Sequence, residues 1–117
     1  MALSDVNWNE HNKNLVLVLK KGCHFCVESA EFYRKLIPAA KEKDVLTVAV
    51  LPTETEESRR YLNELGLPTL ETKQAQLDSI NIIGTPTLIL TNEQGEVIQS
   101  WVGKLNSEQE KQVLESL

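Results

Sequence analysis

The sequence predicts an α/β fold whose first two strands lie parallel in one sheet. Three observations lead there. The continuously apolar runs Leu15-Val16-Leu17-Val18-Leu19 and Val45 to Leu51 read as strands covered on both faces. A helical stretch separates them, so they must pair in parallel through a crossover. A strand, a tight turn, a second strand and a last helix close the chain.

Each element has its own signal. The first strand is expected over Asn14 to Lys20, punctuated by Gly22. The helix from about Cys23 to Lys43 places Cys26, Ala30, Tyr33, Ile37 and Ala40 on one face. Pro38 inside it should kink the helix or split it near Ile37, because proline cannot donate a backbone hydrogen bond. After the second strand, Thr53 and Glu56 have capping-box spacing. The helix they open carries Tyr61, Leu62 and Leu65 and stops at Gly66. A short extended piece is expected around Leu67 to Glu71, then a short helix around Gln74 to Ile80. Pro86 to Thr91 and Glu96 to Val102 form a hairpin across Asn92-Glu93-Gln94-Gly95. Ser107 and Glu110 suggest a second capping box, opening a helix that buries Val113, Leu114 and Leu117. The order is therefore β-α-β-α-(α)-β-β-α, without repeats or linkers.

With 117 residues the chain has the size of one domain, 1–117. Its 41% hydrophobic and 25% charged residues suit a packed globule and argue against disorder. Its longest strongly apolar run is too short to span a bilayer. A net charge of -5, with twelve scattered Lys and Arg, argues against a nucleic-acid partner. The N-terminus shows neither the basic nor the apolar region of a signal peptide.

The two cysteines stand together in Gly22-Cys23-His24-Phe25-Cys26-Val27, where the first strand gives way to the helix. A helix N-terminus offers unpaired N–H groups and the positive end of the dipole. Both favour a thiolate on Cys23, the nucleophilic form in disulfide exchange. Cys26, one turn on and leading the apolar stripe, should point towards the core and resolve the mixed disulfide. Three uses of the pair remain open: redox exchange, metal binding, and a structural disulfide. A four-ligand zinc site would need two further ligands. A disulfide over so short a loop would stabilise little. Soft Cu(I) would suit two thiolates.

The pattern resembles the thioredoxin superfamily. The resemblance lies in the Cys-x-x-Cys that opens a helix, the later Gly84-Thr85-Pro86-Thr87, and the closing strand–turn–strand–helix. Leu62-Asn63-Glu64-Leu65-Gly66-Leu67-Pro68, Ile82-Ile83-Gly84 and Gly95-Glu96-Val97-Ile98 leading to Gly103 are similar to the TlpA/ResA, redoxin-type branch. The likeness spans nearly the whole chain. It implies a thioredoxin-like fold, a central mixed sheet of four to five strands with helices on both faces. It implies a cis Thr85–Pro86 bond, with Thr85 and Pro86 shaping a groove that pairs with an extended substrate. The implied activity is dithiol–disulfide exchange with protein substrates, without cofactor or metal. The partners would be protein thiols or disulfides and a further redox protein. The branch resemblance also implies an extracytoplasmic location; the chain is expected to act as a monomer.

The chain departs from that pattern in places. Gly22 replaces the usual tryptophan before the first cysteine. The strand entering the motif is aliphatic where ordinary thioredoxins bury an aspartate. Glu28 stands one residue before the glutamate position of the branch. Lys20 takes the threonine position of the peroxiredoxin motif, which argues against a peroxidase.

Other residues have two readings each. His24 could lower the Cys23 pKa as a nearby imidazolium, or be an exposed loop residue. Phe25 could present an apolar patch to substrate, or pack on the helix. Trp101 reads as core, and Trp8 as a cover for a sheet edge. Gly103 could allow close backbone approach or simply a turn. Lys20 and Lys21 read as surface charge, and His11 as a polar surface residue. A non-catalytic interaction domain that keeps the fold, and a copper-delivery module, are the competing functions.

Overall fold

The computed structural model describes residues 3, 6–67 and 70–117. Strand β1 (Lys13–Val18) leads to helix α1 (His24–Glu42), β2 (Val45–Leu51), α2 (Thr55–Glu64) and β3 (Glu71–Gln74). A 3-10 turn at Trp8–Glu10 precedes β1, and another at Leu77–Ile80 precedes β4 (Thr87–Asn92), β5 (Val97–Val102) and α3 (Ser107–Ser116). The sheet order is β3-β2-β1-β4-β5. β1 is parallel to β2 and antiparallel to β4, and β3 extends the parallel side.

Side chains alternate along the strands and sort the core into two layers. Leu15, Leu17, Ala49, Leu51, Leu88, Leu90 and Trp101 face the helices, joined by Tyr33 and Leu36 of α1, Tyr61 and Leu62 of α2, and Val113 of α3. Val16, Val18, Val48, Val50 and Ile89 face the other way. That second face is covered by Ile80 and, in part, by Leu3, Val6, Trp8, Ala75, Leu77 and Ile82. The helices thus do not divide between the faces as the resemblance implied. The connections β1-α1-β2 and β2-α2-β3 step in the same direction across the sheet. Right-handed crossovers stepping one way place both helices on one face.

Several local expectations change. α1 runs unbroken through Pro38. Pro38 is exposed, so the Arg34 carbonyl left without its donor sits on the solvent side of the helix. The capping box at Thr53 does not form: the N-cap of α2 is Glu54, with no side-chain cap. The Thr53 hydroxyl instead pairs with the buried Ser58 hydroxyl, 2.5 Å away. At α3 the box lies one residue earlier, on Asn106 and Gln109 rather than Ser107 and Glu110. Asparagine is an equally good acceptor there. The expected helix around Gln74 to Ile80 reduces to the 3-10 turn, and Gln74 closes β3. Pro68 and Thr69, part of the extended piece expected there, lie outside the described residues. The stop at Gly66 has a clear geometry. Its N–H donates to Asn63 and that of Leu67 to Leu62, a Schellman arrangement that needs the positive φ of Gly66, +73°.

Candidate active site

The Cys-x-x-Cys pair sits at the C-terminal end of β1, where the chain turns into α1. Gly22, at φ +85°, makes that turn, and the Cys23 N–H donates to the Lys20 carbonyl at 3.1 Å. Cys23 is the N-cap of α1. Its sulfur accepts the Cys26 backbone N–H at 3.1 Å, taking the place that serine or aspartate oxygen fills in other caps. Both cysteines are free thiols.

The two sulfurs have opposite surroundings. Cys23 is partly exposed, whereas Cys26 is fully buried in the helix-side core. Burial alone would disfavour ionisation of Cys23. The side chains of Cys26 and Thr85 and the N–H groups of Cys26 and Phe25 outweigh it, so the Cys23 thiol lies below its ordinary pKa. Burial pushes the Cys26 thiol up to about 12, and its bond to Cys23 and the Cys23 charge add to that. One sulfur is favoured as a thiolate, and the other is held as a thiol behind it.

The loop before β4 closes the site. The Thr85–Pro86 peptide bond is cis. The Cys23 thiol donates to the Thr85 carbonyl at 3.5 Å, which brings this loop beside the Cys23 sulfur. The Gly103 N–H donates to the Pro86 carbonyl at 2.7 Å, tying the end of β5 to the same loop. Gly103 has φ +87°, and a Cβ there would meet nothing within 4 Å. The glycine is therefore required by the turn, not by a close approach.

The His24 imidazole is paired with a carboxylate of its own helix. Its Nε2 pairs with Glu28 Oε2, one turn along α1, and its side chain is 80% exposed. Glu28 also binds Lys104 Nζ at 2.9 Å. The Lys104 hydrogen bond holds the Glu28 carboxyl below its ordinary pKa, with a smaller contribution from His24. Glu28 thus faces solvent and does not lie beneath the sulfurs. Phe25 is exposed, with its ring edge-on to His24 at 5.5 Å between centroids. Lys21 is engaged by Glu57 at 2.9 Å, and His11 by Asp44 at 2.9 Å. Trp101 is buried in the core, and Trp8 covers the turn at Gly95.

Two tyrosines near the pair were not singled out from the sequence as site residues. Burial raises Tyr33 strongly and brings Tyr61 to about 12, and the charges of Cys26 and Cys23 contribute to both. Tyr33 follows Cys26 on the same helical stripe, so its place was legible. Tyr61 arrives from α2, and no sequence signal links it to the motif.

This geometry and the fold agree with the comparisons. A family model described as a thioredoxin-like domain matches residues 2–117, and the chain belongs to that family. Solved structures share the fold at low identity. A thiol:disulfide interchange protein from Bacteroides sp. is 20% identical, with a TM-score of 0.74 over 94% of this chain and 76% of that one. A thiol-disulfide isomerase from Corynebacterium glutamicum is 18% identical, with a TM-score of 0.72 over 100% and 86%. A secreted disulfide oxidoreductase from Mycobacterium tuberculosis is 10% identical, with a TM-score of 0.70 over 91% and 82%. No curated protein matches the sequence.

Proposed function

We propose that residues 1–117 form one thioredoxin-like domain that exchanges a dithiol for a disulfide in protein substrates. The observation that carries this reading is the asymmetry of the pair: a partly exposed Cys23 that caps the helix, its pKa lowered, backed by a fully buried Cys26 whose pKa is raised. In the reductive direction the Cys23 thiolate attacks a substrate disulfide. A mixed disulfide forms, and one substrate sulfur leaves as a thiolate that takes a proton from solvent. Cys26 then attacks the Cys23 sulfur, the Cys23–substrate S–S bond breaks, and the Cys26 proton passes to the departing second substrate sulfur. Two electrons pass to the substrate, and the protein is left with a Cys23–Cys26 disulfide. A further redox protein must return it to the dithiol. The same steps reversed oxidise a substrate dithiol.

Thr85 and Pro86 border the approach to Cys23. Thr85 offers backbone to an extended segment, the usual way a chain is held by main-chain bonds. No cofactor enters this chemistry, and the domain acts as a monomer. Copper delivery would use the same two sulfurs. Among the described residues, no group of three or more His, Cys, Asp or Glu is placed to hold a metal ion. The secreted mycobacterial oxidoreductase shares the fold, which supports an extracytoplasmic location for this chain.

The test is turnover of insulin disulfides with dithiothreitol as reductant. The wild-type protein is expected to accelerate reduction, and Cys23→Ser to abolish the acceleration. Stoichiometric Cu(I) binding without reductase activity would contradict this reading.

A further inference from the structure

We propose that Tyr61 is a positioning residue for the resolving step: its hydroxyl, joined to Cys26 through water in the cleft between α2 and the loop before α1, steadies the negative charge that builds on the Cys26 sulfur. This rests on the exchange reading above and adds a residue to it.

Cys26 has need of such a group. It is fully buried in the helix-side core, to which β1 and the residue after it bring Leu15, Leu17 and Leu19. Its sulfur must nevertheless carry charge as it attacks Cys23. The Lys20 backbone and the Thr85 side chain favour that charge, yet burial outweighs both.

Tyr61 reaches the pair from α2 and packs in the same core. The charges of Cys26 and Cys23 both act on its hydroxyl, as does that of Glu64. Tyr61 is 7% exposed, and its hydroxyl oxygen is buried without a hydrogen-bond partner in the protein. A buried hydroxyl is costly to leave dry, so this one takes its partner from water. Asn14 Oδ1 and Ser29 Oγ share that condition among the described residues. Asn14 lies at the end of β1 away from the cysteines, and Ser29 lines a different cleft, with Leu105 and Glu110. Neither competes with Tyr61 for this role.

The water has a place to sit. A cleft of about 180 Å³ is lined by Lys21, Glu54, Glu57, Arg60, Tyr61 and Glu64. Each water of the liquid takes about 30 Å³, so the cleft is roomy, and every lining residue is polar. Lys21, two residues before Cys23, pairs with Glu57 of α2 at 2.9 Å, so the cleft reaches the loop that carries the motif. Its three carboxylates and two cations give a negative sulfur no net Coulombic support. The O–H dipole of Tyr61 supplies that support. The hydroxyl donates to a water, and the water donates to the sulfur, each bond polarising the next. Tyr61 keeps its proton throughout. The Cys26 proton still passes to the departing substrate sulfur as the Cys23–substrate bond breaks.

The experiment mixes reduced protein with an aromatic disulfide in a stopped-flow cell and follows the released aromatic thiolate. Attack by Cys23 releases the first equivalent, and attack by Cys26 the second. An aromatic thiolate leaves without taking a proton, so the second rate reports the charge on Cys26. Tyr61→Phe is expected to slow the second release about tenfold, the scale of a hydrogen bond to a charged group, and to leave the first unchanged. The rise of the second rate with pH should move to higher pH in the same variant. Replacement of Tyr61 by 3-fluorotyrosine, which keeps the shape and donates more strongly, should speed the second release, and it serves if Tyr61→Phe fails to fold. A second release as fast in Tyr61→Phe as in the wild-type protein overturns the proposal and leaves the exchange reading intact. Equal slowing of both releases, with no change in the pH profile, assigns Tyr61 to packing and also overturns it. No release of either equivalent by the wild-type protein overturns the exchange reading itself.

Discussion

The Cys26 backbone N–H donates to the Cys23 sulfur at 3.1 Å, so the proposed nucleophile is also the cap of the helix that carries its partner. This double role separates two substitutions. Cys23→Ala removes both the thiol and the cap acceptor, and is expected to cost ~1 kcal/mol in urea unfolding of the reduced protein. Cys23→Ser keeps a cap acceptor and should remain near wild-type stability. Both should abolish disulfide exchange.

Cys26 gives the reduced protein an alkaline limit. Cys26 rises from 9.0 to about 12 on folding. Below pH 9 its thiol is protonated in both the folded and the unfolded chain, and its contribution is fully present. Between pH 9 and 12 the unfolded chain ionises Cys26 and the folded one does not, so folding loses free energy as pH rises. Unfolding midpoints of the reduced protein should fall across that range, and those of Cys26→Ala should fall less.

Ionisation of Cys23 should depend on Thr85 more than on His24. The Thr85 side chain is among the groups that lower the Cys23 pKa, whereas the imidazole is turned to Glu28. Thiolate absorbance during a pH titration reads the difference. Thr85→Val is expected to raise the Cys23 pKa, and His24→Ala to move it less. A larger shift with His24→Ala would restore the imidazolium role that the sequence suggested.

Two turn glycines should respond unequally to alanine. Both have positive φ, +78° at Gly95 and +87° at Gly103. A Cβ at Gly103 meets nothing within 4 Å, so Gly103→Ala should cost only the backbone strain, ~1–2 kcal/mol. A Cβ at Gly95 would stand 2.8 Å from the Trp8 ring, which must then move. Gly95→Ala should therefore lower the urea midpoint further than Gly103→Ala.

The parts of the fold legible in sequence are those with strong local patterning. Val45 to Leu51 reads as a strand because its apolar run is unbroken, and β2 has those bounds. The start of α1 at the cysteines follows from the stripe that Cys26 leads. Caps were less legible, since Thr53 and Asn106 both have the right chemistry and tertiary partners decide. Thr53 is taken by Ser58, while Asn106 is free to bond Gln109. The side of the sheet on which the helices lie was hidden, because it depends on the direction of crossovers through β3, a short strand with a weak pattern. At the site, Cys23, Cys26, Thr85 and Pro86 come together as the motifs implied.

The most direct test is the reaction of the reduced protein with an aromatic disulfide reagent, 5,5′-dithiobis(2-nitrobenzoate). Attack by Cys23 releases one thionitrobenzoate, and resolution by Cys26 releases the other. We expect wild-type protein to release both, and Cys26→Ser to release one while retaining the second as an adduct on Cys23. An adduct formed preferentially on Cys26, or rates at neutral pH no faster than those of an ordinary free thiol, would contradict the assignment.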